Sequence, residues 1–491
     1  MDKAAAGIGR VSARTKYSYG IGCIGRDANY TLVSNFIMVY LTLGVGLSNW
    51  QLGAVGIVVV VARIWDAVND PLMGTIIDNT HTRFGKFKPY IITGAVLNSF
   101  FTVLLFTHFE GVSEGLFVAI FAITYILWGM TYTMNDISYW SLLPNLTVNP
   151  VEREKVTSLA RIGANIGLFS VTAAVPALTG GQMTTMYPLI AKVVAALFVG
   201  CQLLIIFGVQ ESKSAITKSD NHTSLKDMLR IITKNDQLLV IVLAILLFNI
   251  GYFTTAGFGQ FFFYFDYGVY GGMEFTYFAI TIAVAQIATL ALSPLFSKKM
   301  TRRQMFTLGT AGVVFGYLAL MCTKYLLPMT MVLLCIFGFI LFAGQALIQL
   351  LNYVMLADTI EYGQWKLGTR NESIVYSLNP FITKLASAVQ VGILSLTMIV
   401  SGLNPYSEQI SELDHNTSLS RAEVLQKGNE IVASIPEQST AIMRIFMLMV
   451  PLCLIVGCYL IFRTKYKLDE ATYEKIIREL EERAKTGKEA D

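Results

Sequence analysis

Apolar runs of about 20 residues recur along the whole chain, and each is long enough to cross a bilayer core of about 30 Å. They fall near residues 17–45, 50–77, 89–108, 115–142, 153–178, 186–209, 237–264, 272–297, 304–324, 328–357, 372–402 and 439–463. In lipid every backbone N–H and C=O must be satisfied within its own segment, so runs of this length have to be helices. The pattern predicts an all-α polytopic membrane protein with twelve transmembrane helices. Composition agrees: 54% of the 491 residues are hydrophobic and 14% charged, with a mean hydropathy of +0.56, too apolar for a soluble domain. The opening stretch "MDKAAAGIGRVSARTKYSYG" is basic and glycine-rich, without a short apolar core and cleavage site, so the first run is expected to act as the insertion signal. The expected location is the cell membrane, multi-pass, with lipid around it.

Lysine and arginine gather in alternate connections: "TRFGKFKP", "VEREK", the stretch 210–236, "SKKMTRRQ", "GQWKLGTR" and both ends of the chain. By the positive-inside rule both termini and the middle loop are cytoplasmic. The net charge of +4 therefore reports topology, and no basic–aromatic cluster points to nucleic acid. Six cysteines in the predicted spans form no C-x-x-C pair and read as small packing residues, with no metal or cofactor set. The expected domains are two six-helix halves, 1–209 and 237–463, joined by a middle loop, 210–236, and followed by a tail, 464–491. "DPLMGTIIDNTHTRFGKFKP" and "SPLFSKKMTRRQ" close the second and eighth spans alike, which suggests duplication and a substrate site near the midplane. The tail reads as an amphipathic helix packed on the cytoplasmic side. Residues 403–438 form the one long extracytoplasmic loop, with nothing in them that suggests chemistry.

The stretch "RIWDAVNDPLMG", residues 63–74, places Arg63, Asp66 and Asp70 in a run otherwise suited to lipid. With Arg26, Asp27, Asp136, Arg161 and Lys384 they make four basic and four acidic residues on five spans. Apart from Arg63, a little farther out, all lie between about 12 and 18 Å from the nearest cytoplasmic helix end, at about 1.5 Å per residue. A central charge costs about 3 kcal/mol even on the lenient insertion scale, so one shared layer marks a substrate or ion path rather than a set of helix-locking salt bridges. Arg63 and Asp66, three apart, suit either role.

Asp66 and Asp70, at i and i+4, point two carboxylates into one volume. Their repulsion is relieved by a proton or a small cation, and Thr133 and Asp136 on the fourth span offer a hydroxyl and a third carboxylate. The ligand count does not suit calcium. The site predicted is for a monovalent coupling cation, with sodium favoured over a proton because a proton would not need those extra ligands. Arg26, Asp27, Asp136, Trp140 and Arg161 suit a sugar: carboxylates accept from paired hydroxyls, guanidinium groups donate, and an indole packs on the apolar face of a ring.

"RIWDAVNDPLMG", "RFGKFKPYI", "YILWGMTYTMNDISYWSLLP" and "LADTIEYGQWKLGTRNESIVYS" resemble the glycoside–pentoside–hexuronide:cation symporters, the family of the melibiose permease within the major facilitator superfamily. The likeness runs from about residue 16 to the last span. It implies a twelve-helix sugar carrier coupled to sodium, lithium or protons. By matching motif positions, Asp66, Asp70 and Thr133 resemble the cation site, and Asp27 and Asp136 the main acceptors of sugar hydroxyls. Arg26, Trp140, Arg161 and Lys384 would surround the sugar, while Asp358, Glu361 and Arg370 resemble a cytoplasmic gate cluster. Asp78 and Arg83, also at cytoplasmic helix ends, join that gate. The chain departs from the melibiose permease in having Gln349 for an aromatic residue, Pro380 for a hydroxyl residue beside Asn379, and Arg26 for a lysine. The identity of the sugar therefore stays open. The competing readings are a carrier of another solute, such as a lysolipid or charged metabolite, and a non-transporting sugar sensor, which would have no need of the Asp66/Asp70 pair. An enzyme would need a nucleophile or metal cluster near one interface, and the sequence offers none.

Overall fold

The computed structural model describes residues 11–80, 82, 85–109, 111–147, 150–209, 233–368 and 372–486. Arg83, Arg370, the side chain of Asp78 and most of the middle loop lie outside the described residues. The described chain forms α1 (Ala13–Val39), α2 (Asn49–Asp78), α3 (Lys88–Leu105), α4 (Glu114–Leu142), α5 (Pro150–Thr179), α6 (Met183–Gly208), α7 (Asp236–Phe261) and α8 (Glu274–Ser297). It continues through α9 (Arg302–Cys322), α10 (Met331–Leu367), α11 (Glu372–Val400), α12 (Asn404–His415), α13 (Arg421–Ala433), α14 (Glu437–Lys465) and α15 (Glu470–Thr486). Twelve of these have 18 residues or more, matching the twelve apolar runs. Eleven are long and apolar enough to span a membrane by composition among the described residues, and the twelfth, α2, carries Arg63, Asp66 and Asp70.

Sequence sets the helix starts. The Ser48 and Thr301 hydroxyls each accept from an amide one turn on, and Gln51 and Gln304 reach back to the cap residue's N–H, closing capping boxes on α2 and α9. Glycines set how closely helices approach. A Cβ on Gly163 would lie 2.2 Å from the Gly20 carbonyl oxygen, and one on Gly167 2.3 Å from that of Ile24, so α1 and α5 touch backbone to backbone.

The fold repeats itself. α1 runs into a π-helical turn, Tyr40–Val45, and α7 into another, Phe262–Asp266. α1 packs on α5 and α6 as α7 packs on α11 and α14, and the pairs α3·α4 and α9·α10 correspond. The repeat makes two halves of six long helices each.

Packing divides the chain into two units, but not at the expected boundaries. Unit 1 holds Met1–Asp220, Gly268–Thr276 and Gly402–Ile435, and unit 2 holds Asn221–Tyr267, Tyr277–Ser401 and Pro436–Asp491. Residues 268–276 and 402–435, read from sequence as part of the second half, thus pack with the first. The supposed loop of 403–438 is two short helices, α12 and α13, started by Pro405 and by a Ser420/Glu423 capping box. Their side chains bond to helix ends of unit 1, a tertiary effect that a local reading of the sequence does not carry. The tail forms α15 on α10: Trp365 Nε1 donates to Glu479 at 2.6 Å, and Ile476 is buried.

Candidate functional site

Two charged groups are built on α1, α2, α4 and α5 of unit 1. Tyr19 and Tyr139 each donate to the other's carbonyl, at 2.8 and 2.6 Å, with their rings stacked 4.2 Å apart, and so fix α1 against α4. Asn98 on α3 accepts from Asn29 at 2.7 Å and donates to the Trp128 carbonyl at 2.7 Å, tying the same helices together. On this frame Arg26, 3% exposed, pairs with Asp27 at 2.9 Å and with Asp136 at 3.0 Å. Its guanidinium lies 4.6 Å from the Tyr139 ring centroid and 5.0 Å from that of Trp140. Arg161, exposed on α5, stacks over Trp140 as well, at 5.2 Å. The five residues expected to bind sugar in the first half thus form one group. Asp27 and Asp136 keep side chains 23% and 35% exposed, so neither is sealed off by its contact with Arg26.

The second group lies between α2 and α4. Arg63 pairs with Asp66 at 3.3 Å and donates to the Tyr125 hydroxyl at 3.1 Å, near the Tyr125 and Trp128 rings. Thr133 Oγ1 donates to Asp70 Oδ1 at 2.9 Å. Gly129, one turn before Thr133, leaves room for Asp66: a Cβ there would lie 3.2 Å from Asp66 Oδ1. The expectation of two uncompensated carboxylates needs amending, because Arg63 already answers one of them. Arg63, Asp66 and Asp70 sum to a single negative charge. Asp136, expected as a third carboxylate for the cation, is engaged with Arg26, and no group of three acids here is gathered to hold a metal ion among the described residues. The argument for sodium from a third carboxylate loses that support in this conformation.

Lys384 and Asn379 on α11 and Gln349 on α10 belong to unit 2, where each is partly buried. Thr383 donates to the Asn379 carbonyl at 2.9 Å, and Pro380 sits inside α11. Of the expected gate, Asp358 and Glu361 stand on α10. Asp358 is buried and ion-paired to Arg302, with the Tyr466 hydroxyl 3.5 Å away. Tyr473 of the tail bonds to Glu361 and lies under the Arg302 guanidinium, 5.5 Å from it. Arg302 was missed because "SKKMTRRQ" served only as a topology signal. A second group was also missed: Asp266 accepts from Arg444 at 2.6 Å and from Lys324 at 3.0 Å, with Arg444 wholly buried. The signal was the lone arginine in "AIMRIFMLMV".

Comparison with known proteins places these groups in context. The lactose permease of Leuconostoc lactis is 28% identical over 96% of this chain and 72% of its own length. The isoprimeverose transporter of Lactiplantibacillus pentosus is 28% identical over 79% of this chain and 80% of its own. The crystal structure of a D-xylose–proton symporter superposes with a TM-score of 0.57 at 16% identity, covering 87% of this chain and 98% of that one, and so shares the fold. The profile described as MFS/sugar transport protein matches residues 18–470, and the chain accordingly belongs to the MFS/sugar transport family, a multi-pass carrier of the sugar-symporter type and not an enzyme.

Proposed function

We propose that this symporter carries a glycoside together with one monovalent cation, and that both bind on α4 of unit 1. The observation that carries the reading is the single negative charge of Arg63, Asp66 and Asp70, with Thr133 bonded to Asp70 one turn before Asp136. One sodium, lithium or proton neutralises that charge, and the Thr133 hydroxyl and the Asp70 carboxylate are hard ligands suited to sodium. Asp27 and Asp136 accept sugar hydroxyls on their exposed sides, Arg26 holds the two carboxylates apart and oriented, and Trp140 and Arg161 border the ring. Lys384, Gln349 and Asn379 are the contributions proposed from the second half. Glycosides are the cargo we favour, since the relatives' names specify lactose and isoprimeverose. Basic residues in alternate connections support cytoplasmic termini.

Cation binding shifts α4 through Thr133 and so raises the affinity of the Asp136 side for sugar. By linkage, sugar raises cation affinity by the same factor. The test is sugar affinity measured against sodium at fixed pH, then against pH without sodium, for the wild type and Asp70→Cys. The variant is expected to bind sugar with no response to either ion and to stop uphill accumulation. A full wild-type response in Asp70→Cys would remove the pair from the coupling mechanism.

A further inference from the structure

The chain leaves α11 at Ser401, crosses to unit 1 as α12 and α13, and returns to α14 at Pro436. This strap is not a passive connection. Helix ends leave backbone groups without partners, and four strap side chains supply them at the end of unit 1 remote from the N-terminus, while a fifth meets the connection before α8. Asn404 Nδ2 donates to the Leu47 carbonyl at 2.8 Å and Ser411 Oγ to the Gly44 carbonyl at 2.8 Å, both where α1 finishes in its π-helical turn. Asp414 Oδ2 accepts from the Thr184 N–H at 2.6 Å, at the positive end of α6, and Arg421 Nε donates to the Gly180 carbonyl at 3.1 Å, just past α5. Asn429 Oδ1 accepts from the Tyr270 N–H at 2.9 Å.

Shape matches chemistry. Leu403, Ile410, Val424 and Val432 are buried, and a Cβ on Gly428 would meet the Tyr270 ring at 2.5 Å, so α13 lies directly on that ring. Gly46, held at φ 74°, would place a Cβ 2.9 Å from the Ser411 Cβ. At the equivalent end of α7 unit 2 has an ion-pair group instead: Asp266 with Arg444 of α14 and with Lys324 of the turn after α9. There Arg444 also donates to the Leu320 and Thr323 carbonyls, so it is the end of α9 whose backbone this group completes.

We propose that residues 402–435 are a fixed part of unit 1, docked on the ends of α1, α5 and α6 throughout the transport cycle. Between α11 and α14 the chain then flexes at two short joints, Ser401–Gly402 and Ile435–Pro436. Gly402, at φ 70°, already occupies the left-handed region at the first joint. The alternative is a strap that peels off each time the carrier changes state.

The experiment cross-links the strap to α1 in Gly46→Cys/Ser411→Cys, in proteoliposomes. Uptake is read with whichever of labelled lactose, raffinose or a glucuronide the wild type accumulates fastest. A relaxed disulfide has Cβ atoms about 3.8 Å apart, within a small adjustment of the present geometry. Comparing oxidised with reduced forms of one protein cancels any strain from replacing Gly46. The cross-link is expected to form readily and to leave uptake within about twofold of the reduced form. A tenfold loss on oxidation that reverses on reduction overturns the proposal, as does failure of the cross-link to form. Hydrogen exchange over 404–433 in nanodiscs reads docking without any transport: protection equal to that at the ends of α5 and α6 supports the strap, and rapid exchange overturns it. A protein that took up none of the three sugars would count against the glycoside reading and leave the exchange result standing.

Discussion

Thr133 and Asp136 lie one turn apart on α4 and face different partners: Thr133 donates to Asp70 on α2 at 2.9 Å, while Asp136 pairs with Arg26 on α1 at 3.0 Å. One helix therefore touches both charged groups. A displacement of α4 by a fraction of an ångström at Thr133 reaches Asp136 with no intermediate element.

Thr133→Val tests that link. The change is close to isosteric and removes one hydrogen bond to a carboxylate, worth about 1.5–3 kcal/mol. Affinity for the coupling cation is expected to fall about tenfold or more, while sugar binding measured without cation stays at the wild-type value. Sodium titrations followed by calorimetry check both. An unchanged cation affinity would take the hydroxyl out of the site.

Arg63 is buried against Asp66, and removing one partner of a buried pair strands the other charge. Arg63→Gln is expected to destabilise the protein by about 3–5 kcal/mol, the usual scale for breaking such a pair. Arg63→Gln/Asp66→Asn should recover much of the loss, because no unpaired charge remains. Thermal unfolding of wild type, both single variants and the double variant completes the cycle. Additive losses would show that the two residues do not act as a pair.

Much of the fold was legible in the sequence, and the pattern of misses has a physical reason. Apolar length located all twelve long helices because the bilayer imposes one requirement on every span. The charges of "RIWDAVNDPLMG" led to the α2–α4 group because ionisable residues are expensive in lipid and rarely placed without use. The Arg63–Asp66 pair needed only i, i+3 spacing. The Asp266–Arg444 pair joins residues 178 apart in the chain and no local spacing announces it. The strap was misjudged for the same reason: Ser411 and Asn404 are ordinary polar residues until the ends of α1 lie beside them. Arg302 shows a third kind of miss, where a basic turn that orients the chain also supplies the partner of Asp358.

The Arg302–Asp358 pair, with Tyr473 and Glu361 beside it, lies within unit 2 and gives the gate that the family resemblance implies a testable centre. Arg302→Glu is expected to bias the carrier toward inward-open by a few kcal/mol at most, the scale of one broken pair in a two-state equilibrium. Alkylation rates of single cysteines placed along the inward path should rise several-fold. Unchanged rates would assign Arg302 a purely structural role in holding α15.

Glu152 sits where α5 begins and meets Lys16 at 2.5 Å and Lys155 at 3.0 Å. Hydrogen bonds from Lys16 and then Lys155 hold its carboxyl down at about 2, against an ordinary 4.5. A lowered folded-state value means that the contribution to stability is fully present above 4.5 and is lost as pH falls toward 2. Unfolding midpoints of wild type and Glu152→Gln should therefore differ by a constant amount from pH 7 to pH 5 and converge below that. A difference that grows from pH 5 to pH 7 would contradict the assignment.

The sugar group offers the sharpest separation of binding from folding. Arg26 is buried and holds two carboxylates, so neutralising one of them leaves it an anion partner. Asp27→Asn and Asp136→Asn should each leave an inserted protein with an unfolding midpoint within a few degrees of wild type. Binding is expected to suffer far more. A carboxylate accepts from two hydroxyls at once, whereas an amide presents one end as a donor, and each mismatched charged hydrogen bond costs about 1.5–3 kcal/mol. One such mismatch at either position weakens affinity by about tenfold or more. Asp136→Asn carries a second expectation that Asp27→Asn does not. Asp136 lies one turn from Thr133, so any residual sugar binding in Asp136→Asn should lose part of its response to the coupling cation, while that in Asp27→Asn keeps it. Equilibrium binding of a labelled glycoside with and without saturating sodium measures both quantities in each variant. Equal affinity in wild type and both variants would take these carboxylates out of the sugar site, and equal cation responses in the two variants would move the route of coupling away from α4.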